Sequence, residues 1–271
     1  MKLCASNLAL PAFDHTPFLP ELKEMGLDGI EVAPAHTWRH PSGVTVTEVS
    51  AYRRDVEAAG LRVVGLHALI EGEAGAGMFD GEDGRRRLAD ILVQRSALCR
   101  DLGGHSLILG ARWRHDLPEI EAWKTGRAFL EALMPRIEPH GTVLCLAPLA
   151  EDEGDFCITA KSCYMLTNAV DHPSLGLHLG AAALAANGEM GHATFAAVRG
   201  RLEHFHIDEP GLAVAGSSGR VDHADLRRHL AAISYFGWVS VVQAQFAGLT
   251  TDALRRGVAY AARTYLPIDT R

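Results

Sequence analysis

The chain has few cysteines, no long apolar run and no surplus of cationic side chains, and each shortage removes a class of protein. Its five cysteines, Cys4, Cys99, Cys145, Cys157 and Cys163, are scattered and never form a CxxC pair. Neither a disulfide framework nor a structural zinc site is therefore expected, and buried reduced thiols are. The longest apolar stretches, Val143 to Leu149 and the alanine-rich Gly180 to Ala186, fall well short of the roughly 20 residues that cross a bilayer. The opening Met1-Lys2-Leu3-Cys4-Ala5-Ser6-Asn7 lacks the layout of a signal peptide, so a cytoplasmic location is expected. Lys and Arg number 26 against 33 Asp and Glu, a formal net charge of −7. With no cationic excess to neutralise phosphates, neither nucleic acid nor a membrane surface is an expected partner. There is also no GxGxxG after the first apolar run and no GxxxxGK[ST] anywhere, which removes the usual signatures of a nucleotide fold.

What the chain does have is a regular alternation over 271 residues that are 48% hydrophobic, ample for a substantial core. Short apolar or β-branched runs at 2–6, 29–33, 62–67, 105–109, 142–147, 175–179, 202–207 and 239–243 read as strands. Longer amphipathic segments follow them. The clearest are Thr47–Ala59, with Thr47 as cap and Gly60 as stop, Arg85–Leu102 closed by Gly103-Gly104, Pro118–Pro139, and Thr251–Tyr265. Eight βα units of about 34 residues predict an α/β fold with a parallel sheet closed into a single (β/α)8 TIM barrel over residues 1–271. In such a barrel the site lies at the C-terminal strand ends. Residues expected there are Asn7, Glu31, His67, Arg112 with Arg114, the acidic loop Glu151-Asp152-Glu153, Gly180, His206 to Glu209, and Gln243 with Gln245.

The strand ends also carry a resemblance. Gly29-Ile30-Glu31-Val32-Ala33-Pro34, Leu66-His67-Ala68-Leu69, Leu109-Gly110, Cys145-Leu146-Ala147-Pro148, Leu175 to Glu189, and His204-Phe205-His206-Ile207-Asp208-Glu209-Pro210 resemble, in order and spacing, the sugar phosphate isomerase/epimerase family of xylose-isomerase-like barrels. That family binds a divalent cation through Glu, Asp, His and Glu at the ends of strands five to eight. Here Leu146-Ala147-Pro148 stands for the first motif and Leu179-Gly180-Ala181 for the second. Gln243, with the register anchored on Phe246, stands at the fourth position, leaving only His206. Hard cations need carboxylate oxygens, so neither Mg²⁺, Mn²⁺ nor any other cofactor is expected. A DNA-repair endonuclease shares the barrel, but it needs a carboxylate-rich metal cluster and a basic surface that this chain lacks.

Chemistry is expected from the 204–210 stretch. Strand alternation puts His204, His206 and Asp208 on one face, which the resemblance turns into the barrel. His206 with Asp208 or Glu209 is expected to move a proton, and Asn7, Glu31, His67, Arg112 and Gln243 to bind the substrate. Arg112 and Arg114 would clamp an anion beneath Trp113, and Gln243 would offer a neutral amide to hydroxyls. Glu31 is the other strand-end carboxylate available to replace a lost base. Three histidines, His67, His178 and His206, invite a zinc reading, but their convergence is not legible in sequence, and a hydrogen-bonded core role is expected for His178. The resulting expectation is a metal-independent isomerase- or epimerase-like enzyme, or an elimination or cyclisation variant, acting on a small hydroxylated or carbonyl-bearing molecule. The alternative is a non-catalytic ligand-binding protein that kept the pocket. Self-association into a homo-oligomer remains open.

Overall fold

The apolar runs become eight strands of four to seven residues. They are β1 (Lys2–Ser6), β2 (Gly29–Val32), β3 (Arg62–Leu66), β4 (Ser106–Leu109), β5 (Val143–Leu146), β6 (Leu175–Gly180), β7 (Leu202–Asp208) and β8 (Trp238–Val242). In this computed structural model, which describes residues 1–110, 112–150, 153–245 and 250–266, they pair in parallel, in chain order, and close β8 onto β1. The amphipathic segments wrap them as α1 (Leu19–Glu24), α2 (Pro34–Thr37), α3 (Val46–Ala58), α4 (Gly81–Leu102), α5 (Glu119–Ile137), α6 (Ala160–Val170), α7 (Ala181–Ala186), α8 (His192–Val198), α9 (His223–Ala232) and α10 (Thr250–Tyr265). The (β/α)8 barrel read from the alternation is the fold observed. No helix among the described residues is long and apolar enough to cross a membrane. All five cysteines are buried and free.

One boundary moves for a physical reason. The cap of α3 is Thr45, not Thr47: Thr45 Oγ1 accepts from the Glu48 backbone N–H, and the Glu48 carboxylate accepts from the Thr45 backbone N–H. A capping box needs its acidic partner three residues on, and only Thr45 has one.

Alternation along each strand sorts residues into two layers. Leu107, Leu144, Leu146, Leu177, Phe205, Val239 and Val241 face the helices and form the large core. Ile108, Val143, Cys145 and Ala147 form a separate, smaller apolar cluster on the opposite face of β4 and β5, inside the barrel. The other side of the interior is polar. His178 is level with His204, Gly180 with His206, His206 with Ser240, and Asp208 with Val242. The loop leaving β3 is anchored by Arg95 of α4, fully buried, which donates to the carbonyls of Leu69 and Pro41 and to the Glu73 carboxylate at 2.7 Å.

Candidate active site

At the C-terminal ends of the strands the barrel opens into a cavity of about 940 Å³. Its polar floor is supplied by His67, His178, His206 and Asp208. Glu31, fully buried on β2, reaches across the interior to β7, although β1 and β8 lie between those strands. His206 Nε2 lies 2.9 Å from Glu31 Oε2 and 3.1 Å from Oε1, a two-pronged contact to one carboxylate. His204 Nε2 stands 3.4 Å from Glu31 Oε1. The His178 ring packs edge-on against His206 with centroids 4.0 Å apart, and His67 is held by Ser6 Oγ at 2.8 Å from its Nε2. Directly after His67, Ala68 adopts a left-handed backbone (φ 50°), a conformation that costs a non-glycine residue energy and that persists where surrounding structure holds it.

Electrostatics separate these groups. Burial opposes charge on His206, but the Glu31 carboxylate, by its charge and its hydrogen bond, and Asp208 outweigh that opposition and hold the imidazole above its ordinary value. Burial alone would raise the Glu31 carboxyl. The surrounding His206, His204 and His67 reverse the effect and hold it well below the usual carboxylate range. His67 goes the other way, pushed down to about 4 by burial against the pull of Glu31. His178 is held well below its ordinary value by burial and then by His206 and His204. The charged form is therefore favoured at His206 and disfavoured at His67 and His178. Asp208, half-buried, is pushed up to about 6 by burial, against the opposing influence of His206 and of the backbone N–H groups of Ala182 and Ala181. Its Oδ1 accepts from Ala182 N at 3.0 Å, and its carboxylate leans over Gly180, where a Cβ would stand 3.3 Å from Oδ2.

Of the expected site residues, Glu31, His67, His206 and Asp208 converge here, and four others are engaged elsewhere. Arg112 is buried, and its guanidinium donates to the carbonyls of Leu109, Phe156, Ala147 and Cys157. These bonds tie the loops after β4 and β5 together and leave no free fork for an anion. Arg114 pairs with Asp155. Of the acidic stretch, Glu151 and Asp152 lie outside the described residues, and Glu153 accepts from Ala150 N in its own loop. Glu209 is buried too, accepting from Gly216 N, Ser218 Oγ and His223 Nε2, which pins the loop after β7 to α9. Asn7 donates to Thr37 Oγ1 and accepts from Ala33 N, joining β1 to the start of α2. Gln243 faces α10: a Cβ on Gly257 would collide with its Oε1, and Val242 is the β8 residue lining the cavity.

Two histidines take roles the sequence did not favour. His204 belongs to the Glu31 cluster, and its signal was the alternation shared with His206. His178 is not a hydrogen-bonded core residue: it lines the cavity, and both ring nitrogens lack partners among the described residues.

A closed parallel barrel whose polar residues meet at the strand C-termini defines a (β/α)8 protein with its ligand site at the mouth. Residues 19–256 match the xylose isomerase-like TIM barrel family, and the chain belongs to it. A D-psicose 3-epimerase from Clostridium cellulolyticum H10, solved with D-tagatose, superposes with a TM-score of 0.84 at 14% identity, covering 98% of this chain and 99% of that one. The 3-keto-D-glucoside 4-epimerase of E. coli gives 0.80 at 20% identity over 97% and 99%. A sugar phosphate isomerase/epimerase from Parabacteroides distasonis gives 0.74 at 13% over 98% and 94%. At these identities the likeness is one of fold. No functionally curated protein matches the sequence.

The divalent cation that the family resemblance implies does not fit this donor set. Ala147, Gly180 and Val242 line the cavity on β5, β6 and β8 and offer no side-chain oxygen, which Mg²⁺ or Mn²⁺ would need. Among the described residues, the potential ligand atoms within 4.8 Å of one another belong instead to Glu31, His204 and His206, a nitrogen-rich set of a different kind and place.

Proposed function

We propose that the cavity floor is an acid/base site that moves a proton on a small hydroxylated, carbonyl-bearing molecule, as in isomerisation or epimerisation, without a metal ion. The observation that carries this reading is the buried Glu31–His206 ion pair beside Asp208. Asp208, with a pKa of about 6, is matched to take a proton near neutral pH, and His206, kept charged by Glu31, is matched to give one. With Nε2 engaged by Glu31, Nδ1 is the nitrogen left to deliver it. Asp208 removes the proton from the carbon next to the carbonyl while His206 protonates the carbonyl oxygen, giving an enediol. Return of a proton from solvent to the other face of the same carbon, as the enediol hydroxyl gives its proton back to His206 and Asp208 releases its own, gives the epimer. Return of the Asp208 proton to the neighbouring carbon, as the other hydroxyl gives its proton to His206, gives the isomer. Similarity to sugar epimerases supports the substrate class.

Deuterium exchange tests it. Incubating ketoses, aldoses and their derivatives with the protein in D2O is expected to label the carbon next to the carbonyl. His206→Ala or Asp208→Asn should lower that rate roughly 100-fold or more in folded protein. Binding without exchange across the set would establish the non-catalytic reading instead. A second reading is favoured by His204, whose Nε2 stands 3.4 Å from Glu31 Oε1 without a hydrogen bond: a zinc-type ion held by Glu31, His204 and His206. Elemental analysis of protein purified without chelator separates the two, since the ion-pair reading expects no stoichiometric metal and about one per chain would replace it.

A further inference from the structure

The cavity divides into two chemically unlike halves, and that division bears on the substrate of the acid/base site just proposed. One half is the histidine floor. His178 is 4% exposed, and its two nitrogens have no partner among the described residues. Leaving buried polar atoms unpaired is unfavourable, so these nitrogens are free to receive hydroxyl or carbonyl groups of a ligand. The other half is lined mainly by apolar side chains, with the exposed Glu71 and Glu153 at its edge. The apolar cluster inside β4 and β5 surfaces in the cavity at Ile108 and Ala147, and Pro148, Leu149, Leu69 and Ile70 extend it toward the mouth. Of the two cations expected to clamp an anion, Arg112 is consumed by backbone carbonyls and Arg114 pairs with Asp155.

Charge argues against a phosphorylated substrate. Among the described lining residues the carboxylates are Glu71, Glu153, Asp208 and Glu209, and besides His206, whose charge Glu31 answers, the one cationic side chain is the exposed Arg220. Phosphate sites are built from Arg forks, Lys or helix N-terminal amides. Size argues against a free monosaccharide as the whole ligand, because about 940 Å³ lies at the upper end of cavities that hold drug-sized molecules. A sugar spread over both halves would also press its hydroxyls against Ile108 and Leu149 without partners, whereas an aryl or alkyl group there would shed water favourably.

From this we infer that the cavity takes an uncharged, amphipathic compound: a hydroxylated ring or chain seated on His67, His178 and His206, carrying an aryl or alkyl group that lies against β4 and β5. The inference rests on the acid/base reading for the polar end only, and its test reads binding, not turnover. Free hexoses of every D-configuration, their 6-phosphates and their phenyl glycosides are titrated by calorimetry into the wild type and into Asp208→Asn. At least one phenyl glycoside should bind about tenfold or more tightly than its parent sugar, and the matching phosphate more weakly than either. Ile108→Thr and Leu149→Gln, each verified as folded by its melting curve, should remove the phenyl advantage and leave affinity for the parent sugar unchanged. The inference is overturned if the phosphates bind best, if parent sugars match their phenyl glycosides, if no phenyl glycoside binds, or if both folded wall variants keep the advantage. Preserved phenyl binding without deuterium exchange would refute the acid/base reading alone.

Discussion

In the proposed acid/base site Asp208 and His206 are assigned opposite duties, because burial and charge act on them differently. Asp208 loses its proton near 6, and His206 keeps its own to above 6.5 because of Glu31. Exchange activity should therefore rise with pH through about 6 as Asp208 becomes a base, and fall above 6.5 as His206 ceases to be an acid. Glu31→Gln removes the charge that raises His206, while burial continues to lower it. The upper limb should then move below 6.5 and the bell should narrow and shrink. A pH–rate profile in which Glu31→Gln leaves the upper limb in place would contradict this assignment. The contrast with Glu209 is instructive, since adjacent acidic residues in Asp208-Glu209 look equivalent in sequence. Alternation turns Asp208 inward, and the loop after β7 absorbs Glu209 through three donors.

At the scale of elements, β3 and β4 approach so closely that position 65 tolerates no side chain: a Cβ on Gly65 would collide with the Ser106 carbonyl oxygen and lie 3.1 Å from its carbon. Both are backbone atoms of a paired strand, so neither can move aside alone. Gly65→Ala should cost about 1–3 kcal/mol, read as a lower denaturant midpoint with unchanged slope. Unchanged stability would mean that the strand pair is looser than described. The same scale shows what was legible beforehand. All eight strands and the long helices were readable from periodicity and caps, to within a few residues, because period and punctuation are local. Register is not. Gln243 was expected inside, yet it lies one residue beyond the inward position, and a slip of one flips a side chain to the other face. The meeting of Glu31 with His204 and His206 depends on how β2 and β7 are staggered around a closed barrel, a quantity that no single segment encodes. Arg112 was misread for a related reason, since three of the four carbonyls it binds lie 35 to 45 residues away.

For the whole molecule, buried histidines set how stability varies with pH, those of the cavity floor and His15, which is bonded to Tyr52. His67 and His15 are each lowered from 6.5 to about 4, chiefly by burial, and His178 is lowered well below 6.5. Between about 4 and 6.5 the unfolded chain binds protons at these three sites and the native state does not, so stability falls as pH drops through that window. Glu31, lowered in the fold, contributes stability above 4.5 that is lost as pH falls through its folded value. His206, raised, contributes stability that is present below 6.5 and fades as pH climbs past its folded value, and Asp208 opposes the trend between 3.8 and about 6. Three lowered histidines outnumber those two, so the melting temperature should decline from pH 6.5 toward 4. His67→Gln together with His178→Gln should flatten that decline, and an equally steep decline in the double variant would refute the assignment.

The central claim of the proposal is that Glu31 keeps one imidazole charged at the floor of the barrel. Titration of the ¹⁵N-labelled histidines by NMR, with His206 assigned through His206→Gln, tests this most directly. The account predicts that His206 titrates above 6.5 in the wild type and below 6.5 in Glu31→Gln. A His206 that is neutral throughout, locked in a metal-bound tautomer, or indifferent to Glu31→Gln would contradict it.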